Sequence, residues 1–199
     1  MLKLYRQAVL LTIVVIVSGL LFSGCGSNTE TGTETASDQV EAVSEESVPA
    51  GDPYTGTAAE LLGSIINDVD SILPKVSIEA ITPENAPATL GLLADDFASF
   101  ISEGTVALSD SDSVAFQAAV VQCRYADDAG LIEELIQEGF DPGKWVYVFP
   151  DRALTAVYGS FLLLAVGSEA ETQALADAFE KNAGGLTSTR AFYEGETGG

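Results

Sequence analysis

The chain has 199 residues, a formal net charge of −22 and no histidine. A field of this sign repels nucleic acid and anionic lipid headgroups, so the charge excludes nucleic-acid binding. The lack of histidine removes the commonest general base and the commonest neutral metal ligand. We therefore expect no nucleic-acid partner, no metal site and no cofactor.

The first 25 residues have the plan of a secretory signal peptide. Lys3 and Arg6 precede an apolar run at residues 8–22, and small residues follow it before Cys25. The Ser-Gly-Cys ending resembles the lipobox of bacterial lipoproteins, which implies cleavage before Cys25 and diacylation of its thiol. We predict a signal peptide at residues 1–24 and a chain held by lipid on the extracytoplasmic face of a cell membrane.

The next segment has a different composition from the rest of the chain. Residues 26–56 contain seven acids and no base, with many Ser, Thr and Gly. Low hydrophobicity and charge of one sign cannot offset the entropy lost on ordering. We predict the lipidated Cys25 and a disordered acidic tether over residues 25–56, a single domain over 57–193 and a flexible tail over 194–199.

The predicted domain begins with an amphipathic helix at residues 57–73. Thr57 and Glu60 have the spacing of a capping box, and Pro74 ends the helix. Apolar residues recur at steps of three and four: Leu61, Leu62, Ile65, Ile66, Val69, Ile72 and Leu73. After it, the pattern predicts an extended piece at 76–81, a helix turn starting at Asp95 and Asp96, and a short strand at 106–108.

The second half of the domain has clearer signals. The apolar run at residues 115–124 predicts a central strand. The pattern over residues 125–139 predicts a helix with Asp127 at its N-cap. Residues 145–149 alternate like a short strand. Gly159 and Ser160 mark a type II′ hairpin turn between strands 153–158 and 161–166. Ser168 caps a final helix over 169–182, and a loose tail follows from residue 190.

These elements predict the α+β class. An N-terminal helix is followed by a small, mostly antiparallel sheet in the order β-α-β-β-α, and the helices pack on one face of the sheet. The strand at residues 161–166 is apolar on both sides, which is typical of a strand inside a sheet with both faces covered.

The order of elements over residues 118–180 resembles a known family. Its hairpin reads Val157-Tyr158-Gly159-Ser160-Phe161-Leu162-Leu163-Leu164, and its last helix ends at Ala178-Phe179-Glu180-Lys181. With the lipobox and the acidic tether, the chain is similar to small clostridial-type (Gram-positive) lipoproteins with a C-terminal domain of unknown function. Arg124 matches the basic residue that follows the family's first strand, whereas Gln137-Glu138 departs from the basic end of its middle helix. The resemblance implies location and fold, and no chemistry.

Several residues have two interpretations each. Cys123, the only thiol besides Cys25, is either a buried apolar residue or an intermolecular partner. Asp110-Ser111-Asp112 is a polar turn or a weak cation site, and it lacks the later ligands of a calcium loop. The pairs Asp95-Asp96 and Asp127-Asp128 either stabilise the first turns of helices or act as paired carboxylates in acid–base chemistry. Ser160 is part of a turn, because no G-x-S-x-G motif surrounds it.

The strongest candidate binding site is aromatic. If residues 145–149 alternate as a strand, Trp145, Tyr147 and Phe149 share one face beside Lys144 and close to Arg152. These five residues are either part of the core or a candidate binding patch that stacks on a sugar or holds an acidic partner.

Three functions are compatible with these features. The chain has no catalytic motif, so the first is a membrane-tethered, non-enzymatic binding or scaffold domain with a protein or cell-wall partner. The second is a carboxylate-dependent cell-wall hydrolase, which requires two acids in one cleft. The third is a small solute-binding lipoprotein, for which the predicted domain is short.

Overall fold

The structure is a computed structural model and describes residues 54–195. Over that range the chain is an α+β fold, with helices packed on a six-stranded antiparallel sheet. The predicted signal peptide, Cys25 and most of the predicted tether lie outside the described residues, as do residues 196–199.

Five α-helices, three single 3-10 turns and six strands lie in the described range. The helices are α1 (Ala58–Val69), α2 (Ala86–Leu90), α3 (Ala94–Phe100), α4 (Ala129–Gly139) and α5 (Glu169–Ala183). The strands are β1 (Val76–Ala80), β2 (Ile101–Ser109), β3 (Gln117–Cys123), β4 (Arg152–Tyr158), β5 (Phe161–Gly167) and β6 (Ser188–Glu194). The sheet order is β1-β2-β3-β5-β4-β6, so β1 and β6 are its edges.

Local capping signals set the ends of the two longest helices. At the start of α1, Thr57 Oγ1 accepts a hydrogen bond from Glu60 N (3.1 Å), and the Glu60 carboxylate accepts one from Thr57 N (3.0 Å). Ser168 and Glu171 form the same reciprocal capping box at α5. Gly184, with φ 97°, ends α5 in the left-handed conformation that glycine adopts readily. Both predicted caps are therefore present.

The middle of the chain is more regular than predicted. Asp95 and Asp96 do lie in the first turn of α3. That helix, however, runs directly into β2 at Ile101, so the strand spans nine residues and not only the predicted 106–108. Neither glycine nor proline marks the junction, which leaves the change of conformation without a local sequence signal.

The prediction that Asp127 caps α4 is wrong. Residues Ala126–Asp128 form a 3-10 turn in which Asp128 N donates to Tyr125 O (3.1 Å). The α-helix begins directly after this turn, at Ala129, and Asp128 stands at its N-cap without a side-chain capping bond. The two carboxylates therefore lie in a turn that precedes the helix, where negative charge still complements the helix dipole.

The prediction of a loose tail from Arg190 is also wrong. Residues Ser188–Glu194 form β6, which pairs antiparallel with β4 as Arg190↔Thr155 and Glu194↔Arg152. Most side chains of β6 are exposed, so the strand carries no clear apolar alternation. Main-chain pairing to β4 holds it in place, and that cannot be inferred from its composition.

Helices cover both faces of the sheet, and not one face as predicted. The first face packs against α1 and α5, through Leu61, Leu62, Ile65, Leu175 and Phe179 on the helices and Val120, Ala156, Leu163 and Ala165 on the strands. The second packs against α2, α3 and α4, through Leu90, Phe97, Ile132 and Ile136 on the helices and Val121, Val157, Leu162 and Leu164 on the strands. Neighbouring residues of β3 and β5 thus contribute to different cores.

The predicted hairpin joins β4 and β5. Tyr158 pairs with Phe161, which leaves Gly159 and Ser160 as a two-residue turn, and Gly159 has φ 58°. All seven residues of β5 are buried, between β3 on one side and β4 on the other. The prediction of an internal strand with both faces covered is confirmed.

The turn allows a test of backbone strain with a matched control. A Cβ at Gly159 or at Gly63, which lies inside α1, would meet no atom within 4 Å. Only Gly159 has a positive φ, so Gly159→Ala is expected to lower the free energy of unfolding by about 1–2 kcal/mol. Gly63→Ala is expected to raise it by about 0.5–1 kcal/mol. Chemical denaturation measures both free energies. If both substitutions changed the free energy of unfolding in the same direction, the turn geometry would be contradicted.

Candidate functional site

The segment between α4 and β4 carries the predicted aromatic patch, but it is not a strand. It forms a 3-10 turn at Pro142–Lys144, and Val148 N then donates to Trp145 O (3.2 Å) in a further turn. Alternation therefore does not apply. Trp145 is half-buried, whereas Tyr147 is 93% and Phe149 63% exposed. With Val146, these two side chains form an exposed apolar loop, which we call the aromatic loop.

Trp145 attaches this segment to the domain. Its ring lies 6.4 Å from the ring of Phe140, which follows the end of α4. Phe140 in turn contacts Phe192 (5.3 Å, edge to face) and Tyr193 (5.5 Å), both on β6. Such aromatic arrangements add to the stabilisation from burial. The cluster therefore ties the start of the aromatic loop to the edge of the sheet.

Lys144 makes the second attachment. Its Nζ donates to Gln117 Oε1 (2.6 Å), to Thr89 O (3.1 Å) and to Ala88 O (3.3 Å), and it lies 4.6 Å from the centre of the Trp145 ring. Gln117 is fully buried, and its Nε2 donates to the same Thr89 oxygen (2.8 Å). Since an ammonium has three N–H donors, every donor of Lys144 is used. This geometry fixes the loop and leaves no free donor for a ligand.

A cavity of about 270 Å³ lies beside Lys144, between residues 87–91 and residues 139–141. Its two walls touch where a Cβ on Gly91 would come within 2.2 Å of Gly139 O, so both positions require glycine. Burial lowers the pKa of Lys144 to about 8, although the Asp141 carboxylate acts in the opposite direction. Lys144 therefore lines the cavity, but its ammonium group donates its hydrogen bonds to oxygens of the domain.

Arg152, the fifth residue of the predicted patch, lies elsewhere. It is the first residue of β4 and lines a different cavity, of about 440 Å³, together with Asp151, Glu169, Glu194 and Gly195. The five predicted patch residues thus divide among three places. Lys144 and Trp145 anchor the segment, Tyr147 and Phe149 project from it, and Arg152 belongs to the end of the sheet.

A buried polar network under α4 was not predicted. Glu133 is only 5% exposed, and its carboxylate accepts from Thr155 Oγ1 (2.7 Å) and Ser188 Oγ (3.3 Å). Gln137 Nε2 donates to the same Thr155 oxygen (2.9 Å). Glu133 lies four residues after Ala129 and three before Ile136, which is the inward stripe of the helix. That spacing is the sequence signal that marks Glu133 as an inward-facing residue of the helix.

The remaining candidate residues have structural roles in the described range. Cys123 is buried at the end of β3, and desolvation raises the pKa of its thiol to about 12. Hydrogen bonds from Ser77 and then from Lys75 lower the pKa of Asp110, which also pairs with Lys75 (3.1 Å). Ser160 lies in the hairpin turn. Within residues 54–195 no group of three His, Cys, Asp or Glu residues is placed to hold a metal ion.

Comparison with known proteins assigns no family to the chain. No protein-family model matches the chain, and no curated protein or solved structure was found that matches it. In the part of the chain that the structure describes, no helix is both long enough and apolar enough to cross a membrane.

The Lys144 attachment predicts a pH dependence of stability. The folded-state pKa of about 8 lies below the ordinary value of 10.5. Between these values the unfolded chain binds a proton that the folded chain has released, so stability increases as pH rises through the window. The free energy of unfolding relative to Lys144→Met should rise by on the order of 2 kcal/mol.

Denaturant titrations at several pH values between 7.5 and 10.5 measure this difference. Lys75→Met removes an exposed lysine and serves as the control for the loss of one positive charge. A difference between wild type and Lys144→Met that stays constant over the whole range would show that Lys144 is not buried as described.

Proposed function

We propose that the chain is a lipid-anchored domain on the extracytoplasmic face of a cell membrane, and that it binds a partner in the cell envelope through the aromatic loop. The observation that carries this proposal is the exposure of Tyr147 and Phe149 on a segment fixed by Lys144 and Trp145. Large exposed apolar side chains are costly unless a partner covers them. A fixed loop also loses little conformational entropy on binding.

The membrane anchor is the second part of the proposal. It rests on the signal-peptide plan and the lipobox-like ending at Cys25. The net charge of −22 disfavours attachment through anionic headgroups, so a lipid must supply the membrane affinity. We also propose that the chain belongs with the small clostridial-type lipoproteins. The succession of β3, α4, the β4–β5 hairpin and α5 supports this grouping.

The domain is better suited to binding than to carboxylate catalysis. A glycosidase needs one carboxyl in an apolar setting within the substrate cleft. Asp151, Glu169 and Glu194, which share the larger cavity, are all exposed. Glu133 is buried, but Thr155 and Ser188 already occupy its oxygens. These placements favour a non-enzymatic domain.

Cys25→Ser tests the anchor. The hydroxyl of serine cannot form the thioether, so the variant is expected to remain uncleaved and to incorporate no label when cells are grown with radioactive palmitate. Cys123→Ser is the matched control, because its thiol is buried in the domain, and it should be labelled like the wild type. Label on the Cys25→Ser chain would refute the lipid anchor.

Substitution in the aromatic loop tests the binding surface. Tyr147→Ala with Phe149→Ala is expected to reduce, by at least tenfold, both co-sedimentation with purified cell walls and crosslinking to envelope proteins. The fold should not change, because both side chains are exposed. Tyr125→Ala removes an aromatic residue that is 71% exposed elsewhere and should bind normally. Equal binding by the double variant and the wild type would contradict the proposed surface.

A further inference from the structure

The larger cavity lies at one end of three neighbouring strands. Arg152, at the start of β4, pairs with Gly167 at the end of β5 and with Glu194 at the end of β6. Gly195 N donates to Asp151 O (2.7 Å), which continues the pairing past the strand ends. The cavity of about 440 Å³ falls within the roughly 300–1,000 Å³ typical of small-molecule sites. Main-chain pairing thus fixes the relative positions of its walls.

Arg152 is an unpaired cation in this cavity. Its Nε is buried and has no hydrogen-bond partner in the structure. The two ion pairs among residues 54–195, Lys75–Asp110 and Lys181–Asp68, do not include it. A guanidinium remains charged at any physiological pH, and a buried donor without an acceptor is unfavourable. Because Nε is closed off from water, an acceptor from outside the chain reaches this guanidinium through its terminal nitrogens.

The rest of the cavity wall limits the nature of that acceptor. Asp151, Glu169 and Glu194 line the same cavity as Arg152, and all three residues are exposed. They repel a simple anion such as phosphate, and the net charge of −22 adds to that repulsion. A simple cation pairs with the carboxylates but leaves the guanidinium of Arg152 without an acceptor. A molecule that carries both charges satisfies both parts of the wall.

We propose that this cavity binds a small zwitterion with a carboxylate and an ammonium group, of which a free amino acid is the simplest case. The ligand carboxylate accepts from the two terminal guanidinium nitrogens of Arg152, in the two-pronged geometry that arginine favours. The ligand ammonium lies among Asp151, Glu169 and Glu194. The site goes beyond the proposed function, because it shares no residue with the aromatic loop.

Two other buried polar groups do not offer such a site. Lys144 uses its three donors on Gln117, Thr89 and Ala88. Glu133 accepts from side chains of two strands. Both networks are complete within the domain, whereas the guanidinium of Arg152 is not paired.

Isothermal titration of the purified full-length lipoprotein, in detergent at low salt, tests the proposal. The probes are L-alanine and D-alanine, together with propionate, which lacks the amine, and ethylammonium, which lacks the carboxylate. At least one alanine enantiomer should bind saturably in the millimolar range, at least tenfold more tightly than propionate or ethylammonium. No saturable binding of alanine up to 100 mM would overturn the proposal, and so would equal affinity for either half-molecule.

Variants assign the binding to the cavity. Arg152→Gln should weaken alanine binding by at least tenfold. Arg190→Gln removes an exposed arginine of β6 and should bind like the wild type. If Arg152→Gln does not fold, Glu169→Gln, at the exposed start of α5, should still weaken binding severalfold. If Arg152→Gln folds, an unchanged affinity for alanine would overturn the site. If it does not fold, an unchanged affinity in Glu169→Gln would do so. The Tyr147 and Phe149 double variant should bind alanine normally, so this proposal and the proposed function can fail separately.

Discussion

Burial of β3 and β5 on both faces is the constraint on which the rest of the fold depends. Leu162 and Leu164 point into one core, and Leu163 points into the other. Each fully buried leucine contributes roughly 1.5–3 kcal/mol relative to an exposed one, so neither face can be left open to water. One layer of helices cannot cover both faces. The chain therefore places α1 and α5 on one side and α2, α3 and α4 on the other.

This constraint explains which parts of the fold can be predicted from the sequence. The capping boxes at Thr57 and Ser168 and the turn at Gly159 depend on neighbouring residues, so short-range patterns are enough to find them. The apolar run of β5 also shows that it is an internal strand. The edge strand β6 has no comparable pattern, because its place depends on main-chain bonds to β4. The second helical layer depends on short helices, such as the five-residue α2, which have weak periodicity.

The candidate site was harder to predict, since its geometry depends on contacts between distant residues. Alternation at residues 145–149 is informative only if the segment is a strand. In the structure, Lys144 instead reaches across 27 residues to Gln117 and across 55 to Thr89. These bonds turn the segment so that Trp145 packs inward while Tyr147 and Phe149 point outward. Composition marks the segment as unusual, but only tertiary contacts decide which of its aromatic residues are exposed.

The positive charges of the domain differ in whether groups of the domain already pair with them. The described range contains six bases, which are Lys75, Arg124, Lys144, Arg152, Lys181 and Arg190. Two lysines pair with aspartates, while Arg124 and Lys144 donate to oxygens of the domain. Arg190 is exposed to water, which solvates it. Arg152 differs from all of these, because its Nε is shielded from water and has no hydrogen-bond partner. Main-chain pairing places Arg152 directly opposite Glu194, yet neither ion pair of the described range joins its guanidinium to a carboxylate of the cavity.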